Sequence, residues 1–150
     1  MIQLAEEAFA VRNDPDQLDV DESVINHLME MHPATVSEHD DDGPAVWILL
    51  IPTTTELMQQ FISKEISEKQ LYERTPLAIK YNAIYLCSAM VLSEYRRKGI
   101  AKRLTVEAIA KICEDHPVKN LFVWPFSDAG NKLSEDIARQ CNLPLLKRIK

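Results

Sequence analysis

The chain has 150 residues, 46% hydrophobic and 27% charged, with a net charge of −6 at pH 7. That is enough to bury a core without metal or disulfide staples, in one domain over residues 1–150. The acidic balance argues against general binding to nucleic acid, although a local basic patch can still hold an anion.

The opening "MIQLAEEAFAVRNDPD" is acidic and has no apolar h-region, so it does not read as a signal peptide. Its first residues suit a short helix that ends at a turn around Pro15. "DESVINHLMEMHP" places Val24, Ile25, Leu28 and Met31 on one helical face, and Pro33 stops it. "ATVSEHDDDGPAVWILLIP" reads as a hairpin turned at Asp42-Gly43, with "AVWILLI" a buried strand. In residues 53–80, Thr53/Glu56 and Ser67/Gln70 have capping-box spacing, which predicts two short helices closed by Pro76.

"AIYLCSAMVL" (83–92) is apolar on both faces and reads as a central strand covered on both sides. "GIAKRLTVEAIAKIC" is an amphipathic helix with Ile100, Leu104, Ala108 and Ile112 on one stripe. "LFVWPF" is the next strand, and a second helix follows with Leu133, Ile137 and Cys141 buried. "LPLLKRI" is a last strand, with Pro144 at its start. Residues 83–126 thus form a strand–helix–strand unit, which implies a parallel pair with a right-handed crossover inside a mixed sheet.

Three scattered cysteines, Cys87, Cys113 and Cys141, lack CxxC spacing and read as reduced thiols. The longest uncharged runs, Gly43–Thr55 and Tyr81–Ser93, have 13 residues each, too short to span a bilayer. A cytoplasmic protein without membrane attachment is expected.

The basic run "SEYRRKGIAKRL" lies between the central strand and its crossover helix. Ligands collect at that end of a strand, beside the helix N-terminus. The first helical N–H groups have no intrahelical partner and carry roughly half a positive charge. Gly99, one of only three glycines, allows close approach to the backbone. Arg96, Arg97, Lys98, Lys102 and Arg103 add positive potential, so the stretch reads as a phosphate cradle. Neither a Walker loop nor a GxGxxG fingerprint is present.

The pattern R-x-x-G-x-A at Arg96, Gly99 and Ala101, preceded by "VLSEYR", resembles the pyrophosphate motif of the GNAT family of acyl-CoA N-acyltransferases. The resemblance is convincing over about 83–149, the coenzyme A-binding core, and loose over a divergent half, 1–80, with its helical insertion at 53–80. It implies an α/β fold with a mixed, splayed sheet and helices on both faces. It implies acetyl or acyl transfer from acetyl-CoA to a small-molecule or peptide amine, without nucleic acid or membrane, and is compatible with a homodimer. Backbone N–H groups of Arg97, Lys98, Gly99, Ile100, Ala101 and Lys102 would hold the coenzyme A pyrophosphate. The strand edge at Ala89, Met90 and Val91 would pair with the pantetheine arm, and Asn131 would contact that arm or the thiol end.

Plainer readings stand beside these. Arg96–Lys98 also reads as a solvated charge run, Cys87 and Met90 as core, and Asn131 as an ordinary first-turn helix residue. Arg103 and Lys111 read as exposed helix face. Aligned by the helix end, Ala138 stands where many members carry a tyrosine that protonates the departing thiolate. The usual Gly-Phe after that helix is Asn142-Leu143. The acid role would pass to Ser134, Ser127, Tyr85 or Cys87, to water, or to nothing, and a tyrosine restored at 138 would raise transfer. Glu56, Glu73 and Asp128 are the candidates for a base. Ser127 and Asp128 read equally as a helix N-cap pair. Two other functions remain: a non-catalytic coenzyme A-binding module, and an RNA- or partner-binding patch, which the acidity and the lack of interleaved aromatics disfavour.

Overall fold

A strand apolar on both faces needs a cover on each, and the fold is arranged around the segment that begins at Ala83. The structure is a computed structural model. It describes residues 6–7, 22–40, 44–77, 79–91, 100–124 and 128–148. In chain order the elements are β1 (Glu6–Glu7), α1 (Glu22–Met31), a 3₁₀ turn (Pro33–Thr35), β2 (Val36–Asp40), β3 (Pro44–Thr53), α2 (Thr55–Ile62), α3 (Glu68–Arg74), β4 (Ala83–Val91), α4 (Ile100–Asp115), β5 (Asn120–Val123), α5 (Asp128–Cys141) and β6 (Leu145–Lys147).

These make one mixed sheet in the order β2-β3-β4-β5-β6, with β1 also paired to β4. β2, β3 and β4 run antiparallel, and β4, β5 and β6 run parallel. The fold is α/β, as expected.

Alternation along the central strands sends side chains to two separate cores. Ile48, Leu50, Ile84, Leu86, Leu121 and Val123 point to one face, where Ala108, Ile109 and Ile112 of α4 and Ile137 and Ala138 of α5 cover them. Leu49, Ile51, Ala83, Tyr85, Cys87, Phe122 and Trp124 point to the other, under Val24, Leu28 and Met31 of α1, Met58 and Phe61 of α2, and Leu71 of α3. Each fully buried aliphatic or aromatic side chain of this kind stabilises the fold by about 1.5–3 kcal/mol relative to exposure.

Several local expectations shift. Ser67 and Gln70 form the capping box as predicted. The cap of α2, however, is Thr54, whose hydroxyl accepts from Leu57 N, not Thr53. Thr53 still pairs in β3 with Ala83, and its hydroxyl meets that of Thr75 at 2.7 Å. Among the described side chains of α5, Ser134, Ile137 and Ala138 are buried, and Leu133 and Cys141 are partly buried against the same core. Asn142 takes the left-handed conformation (φ 58°) that ends a helix, and Leu143 N reaches back to Ala138 O at 3.1 Å. Asparagine tolerates that region better than other non-glycine residues, so it serves where a glycine is usual.

The opening segment departs from expectation most. Glu6–Glu7 is a strand, not part of a helix. Good helix formers fill "LAEEAFA", but β4 offers these two residues an open edge, and tertiary pairing overrides local preference. The turns expected at Pro15 and Asp42-Gly43 lie outside the described residues.

At the end of α4, polar side chains tie the two layers together. Ala34 N donates to His32 Nδ1 at 3.0 Å, which leaves the ring hydrogen on Nε2 to donate to Asp115 Oδ2 at 2.6 Å. Lys80 Nζ donates to Asp115 O at 3.0 Å, and Tyr81 N donates to His116 Nδ1 at 3.2 Å. Burial holds the pKa of His116 below its ordinary 6.5, and the neighbouring His32 and Lys80 lower it further, against an opposing pull from Asp115. The unfolded chain therefore binds the proton more readily, and stability is lost as pH falls through and below about 6.5. His116→Asn keeps an acceptor for Tyr81 N without the titration. Between pH 7.5 and 5.5 the melting midpoint of this variant should fall less than that of the wild type, and parallel curves would refute this role for His116.

Candidate active site

The register of β4 defines the site. β3 pairs with β4 along its whole length, from Thr53↔Ala83 to Val46↔Val91. Opposite Leu49 and Leu50 the partner jumps from Ser88 to Leu86, which makes Cys87 an extra residue on β4 at that point. That is a β-bulge, which bends a strand and increases its twist. On the other edge, β5 pairs with β4 only from Ala83↔Asn120 to Leu86↔Val123. Among the described residues the parallel pair therefore parts at the bulge, where β4 runs on to Val91.

Around that parting the structure places some of the sequence-predicted residues. Ala89, Met90 and Val91 are the last residues of β4, and Ile100, Ala101 and Lys102 open α4. Arg96, Arg97, Lys98 and Gly99 lie outside the described residues, as does Ser127. The strand end and the helix start thus flank the basic run on both sides. Asn131 sits in the first turn of α5, which follows β5. Its side-chain carbonyl oxygen is buried and has no hydrogen-bond partner among the described residues. A buried acceptor left unmet costs about 1–3 kcal/mol.

The candidates for acid and base fare differently. Ser134 is fully buried, and its hydroxyl donates to Asn131 O at 2.8 Å, a bond within the helix. Tyr85 is fully buried on the α2–α3 side, and its hydroxyl donates to Glu68 Oε2 at 2.5 Å. Glu56 and Glu73 are exposed to solvent. Burial raises the Cys113 thiol and pushes Cys141 up to about 11, so neither is a thiolate nucleophile at neutral pH. Cys87 is buried in the second core.

Glu68 is the residue that sequence reasoning missed. It looked like an ordinary first-turn acid after the Ser67 cap, yet it is fully buried. Close by in the fold, Arg148 donates from Nη1 to Ile66 O at 3.2 Å. Its guanidinium lies 4.6 Å from the Phe61 ring centroid and 4.3 Å from that of Trp124. Carboxylate, phenol and guanidinium thus share the second core, on the side of β4 that carries the 53–80 insertion. Only the three-dimensional neighbourhood of Ile66 and Tyr85 could have revealed this.

An open cleft of about 390 Å³ lies elsewhere, between the 3₁₀ turn and α4. His32, Ala34, Val36, Leu104 and Ala108 line it, with Glu107 and Lys111. None of the sequence-predicted site residues borders it. Both nitrogens of His32 are already committed to Ala34 and Asp115. Among the described residues no group of histidines, cysteines or carboxylates could hold a metal ion, and no helix is long and apolar enough to cross a membrane.

Compared with protein-family models, with curated proteins and with solved structures, the chain matches none.

Ala138, the position aligned with the missing tyrosine, is buried among Ile109, Ile112, Leu121 and Ile137. A tyrosine there would be forced into a packed core. Ala138→Tyr should therefore lower stability by about 1–3 kcal/mol in urea unfolding. A midpoint equal to wild type would show that the side chain escapes into a cleft.

Asn131→Ala tests the unmet acceptor. It removes a buried acceptor that has no partner among the described residues and improves helix propensity, so apo stability should rise by a few tenths to about 1 kcal/mol. A fall in the apo midpoint would show instead that the amide is already satisfied.

Proposed function

We propose that the protein transfers an acyl group, most simply acetyl, from acetyl-CoA to an amine. The observation that carries this reading is the parting of β4 and β5 at the Cys87 bulge. Beyond Leu86 it frees the β4 edge from β5 and leaves only the two-residue β1 paired there, at Met90 and Val91, so a chain-like ligand has an edge to compete for in the segment that leads to α4. The R-x-x-G-x-A pattern at Arg96, Gly99 and Ala101 supports it from the sequence.

In this reading the backbone N–H groups of 97–102 hold the pyrophosphate, aided by the positive end of α4. The edge at Ala89–Val91 pairs with the pantetheine arm, and the unmet carbonyl of Asn131 accepts from one of the arm's amides. The acceptor amine, in its neutral form, attacks the thioester carbonyl carbon. A C–N bond forms and the C–S bond breaks, the amine proton passes to a base or water, and the thiolate leaves to be protonated. A backbone N–H of the 89–91 strand stabilises the oxyanion, and positioning supplies much of the acceleration. The acceptor approaches from the α2–α3 side, where the insertion shapes specificity.

A second reading, a coenzyme A-binding module without turnover, is favoured by two observations: Ala138 packs in the core, and the Ser134 hydroxyl is committed within its own helix. Turnover of acetyl-CoA across a panel of amines and peptide N-termini separates the two.

Coenzyme A at about a hundred times its Kd should add about 2.7 kcal/mol to stability and raise the melting midpoint by about 5–10 °C. No shift with coenzyme A or acetyl-CoA would remove both readings. Gly99→Glu should weaken coenzyme A binding at least about tenfold, or about 1.4 kcal/mol, because it puts bulk and negative charge where phosphates would sit. Its apo midpoint should stay near wild type. Wild-type affinity in calorimetry would place the cradle elsewhere.

A further inference from the structure

A strand has two edges, and those of β4 are differently used. β3 takes one edge along the whole strand. β5 takes the other only as far as Leu86. Beyond the bulge that second edge carries β1, antiparallel, with Glu6 opposite Val91 and Glu7 opposite Met90. These are two of the three residues whose backbone would pair with the pantetheine arm. A backbone N–H or C=O on one edge cannot serve two strands at once.

We infer that β1 is a displaceable occupant of the coenzyme A edge, so that ligand entry requires strand release; this rests on the acyl-CoA reading above. β1 is only two residues long, and so short a pairing is marginal by itself. Its sequence gives it somewhere else to go. "LAEEAFA" is rich in good helix formers, so the released segment has a second local conformation available. The mismatch between helical sequence and strand structure at Glu6–Glu7 is then the mark of a segment with two states, one docked and one free.

Three proteins test this: the full chain, a chain lacking residues 1–7, and Glu6→Pro/Glu7→Pro. The double proline keeps the length but removes both N–H donors of β1. Two ligands are titrated by calorimetry: coenzyme A, and adenosine 3′,5′-bisphosphate, which lacks the pantetheine arm. A strand docked nine-tenths of the time reduces apparent affinity about tenfold. Coenzyme A should therefore bind both variants about tenfold more tightly than the full chain, with adenosine 3′,5′-bisphosphate unchanged. In the full chain, coenzyme A should speed hydrogen exchange in a peptide covering residues 1–10. Apo melting curves establish that the variants are folded.

Equal coenzyme A affinity in all three folded proteins overturns the inference and leaves the acyl-CoA reading standing. So does an equal gain for both ligands, or slower exchange of residues 1–10 on binding. Absence of coenzyme A binding in every protein overturns the acyl-CoA reading itself, and the inference falls with it.

Discussion

Strand β4 has to satisfy two faces and two edges at once, and the rest of the molecule follows from how it does so. Ala83, Tyr85 and Cys87 face one core while Ile84 and Leu86 face the other, so neither face can meet water. Helices must then lie on both sides, α4 and α5 on one and α1, α2 and α3 on the other. The edges impose a second demand, because a buried backbone N–H or C=O without a partner costs as much as a lost hydrogen bond. β3 meets that demand on one side. On the other, β5 meets it for four residues and β1 for two more. The bulge at Cys87 marks the change of partner, and that change is what gives the site its geometry.

Much of this was legible in the sequence, for a physical reason. Two-sided burial leaves a continuous apolar run, and "AIYLC" carries it plainly. Amphipathic periodicity located α1, α4 and α5, and the Ser67–Gln70 box located the start of α3. What stayed hidden depends on contacts between distant segments. The cap of α2 moved by one residue because the Thr53 hydroxyl found Thr75, which is 22 residues away. The stripe expected on α5, Leu133, Ile137 and Cys141, does pack on the core, but it is wider than expected: Ser134 is buried beside it because its hydroxyl is satisfied on Asn131 O. At the candidate site, the strand and the helix that flank the basic run were legible, while Arg96–Gly99 themselves lie outside the described residues. Glu68 carries no local signal that distinguishes it from any first-turn acid.

The second core is chemically unlike the first. The first is aliphatic throughout, apart from small polar groups satisfied within helices. The second is aromatic and charged, with Phe61 in edge-to-face contact with Tyr85, Phe122 and Trp124. Arg148 lies over two of those rings. Its guanidinium is held there by the electron-rich ring faces and by Ile66 O, which accepts from it. One side of the sheet therefore serves as plain scaffold, and the other has polar chemistry built into its packing.

The two long ties described above also bear on the order in which the chain can assemble. His32 meets Asp115 across 83 positions, and Arg148 meets Ile66 across 82. Closing loops of that length costs chain entropy before any contact repays it, and folding slows as the mean separation of contacting residues grows. The β2–β3 hairpin and the α2–α3 pair, which are local, can form early. The parallel pairings of β4 with β5 and of β5 with β6 must wait for their crossovers, and the Arg148 lock closes last. Until it closes, the aromatic side of the sheet is exposed along Phe122 and Trp124, and the half-assembled protein is at its most prone to self-association.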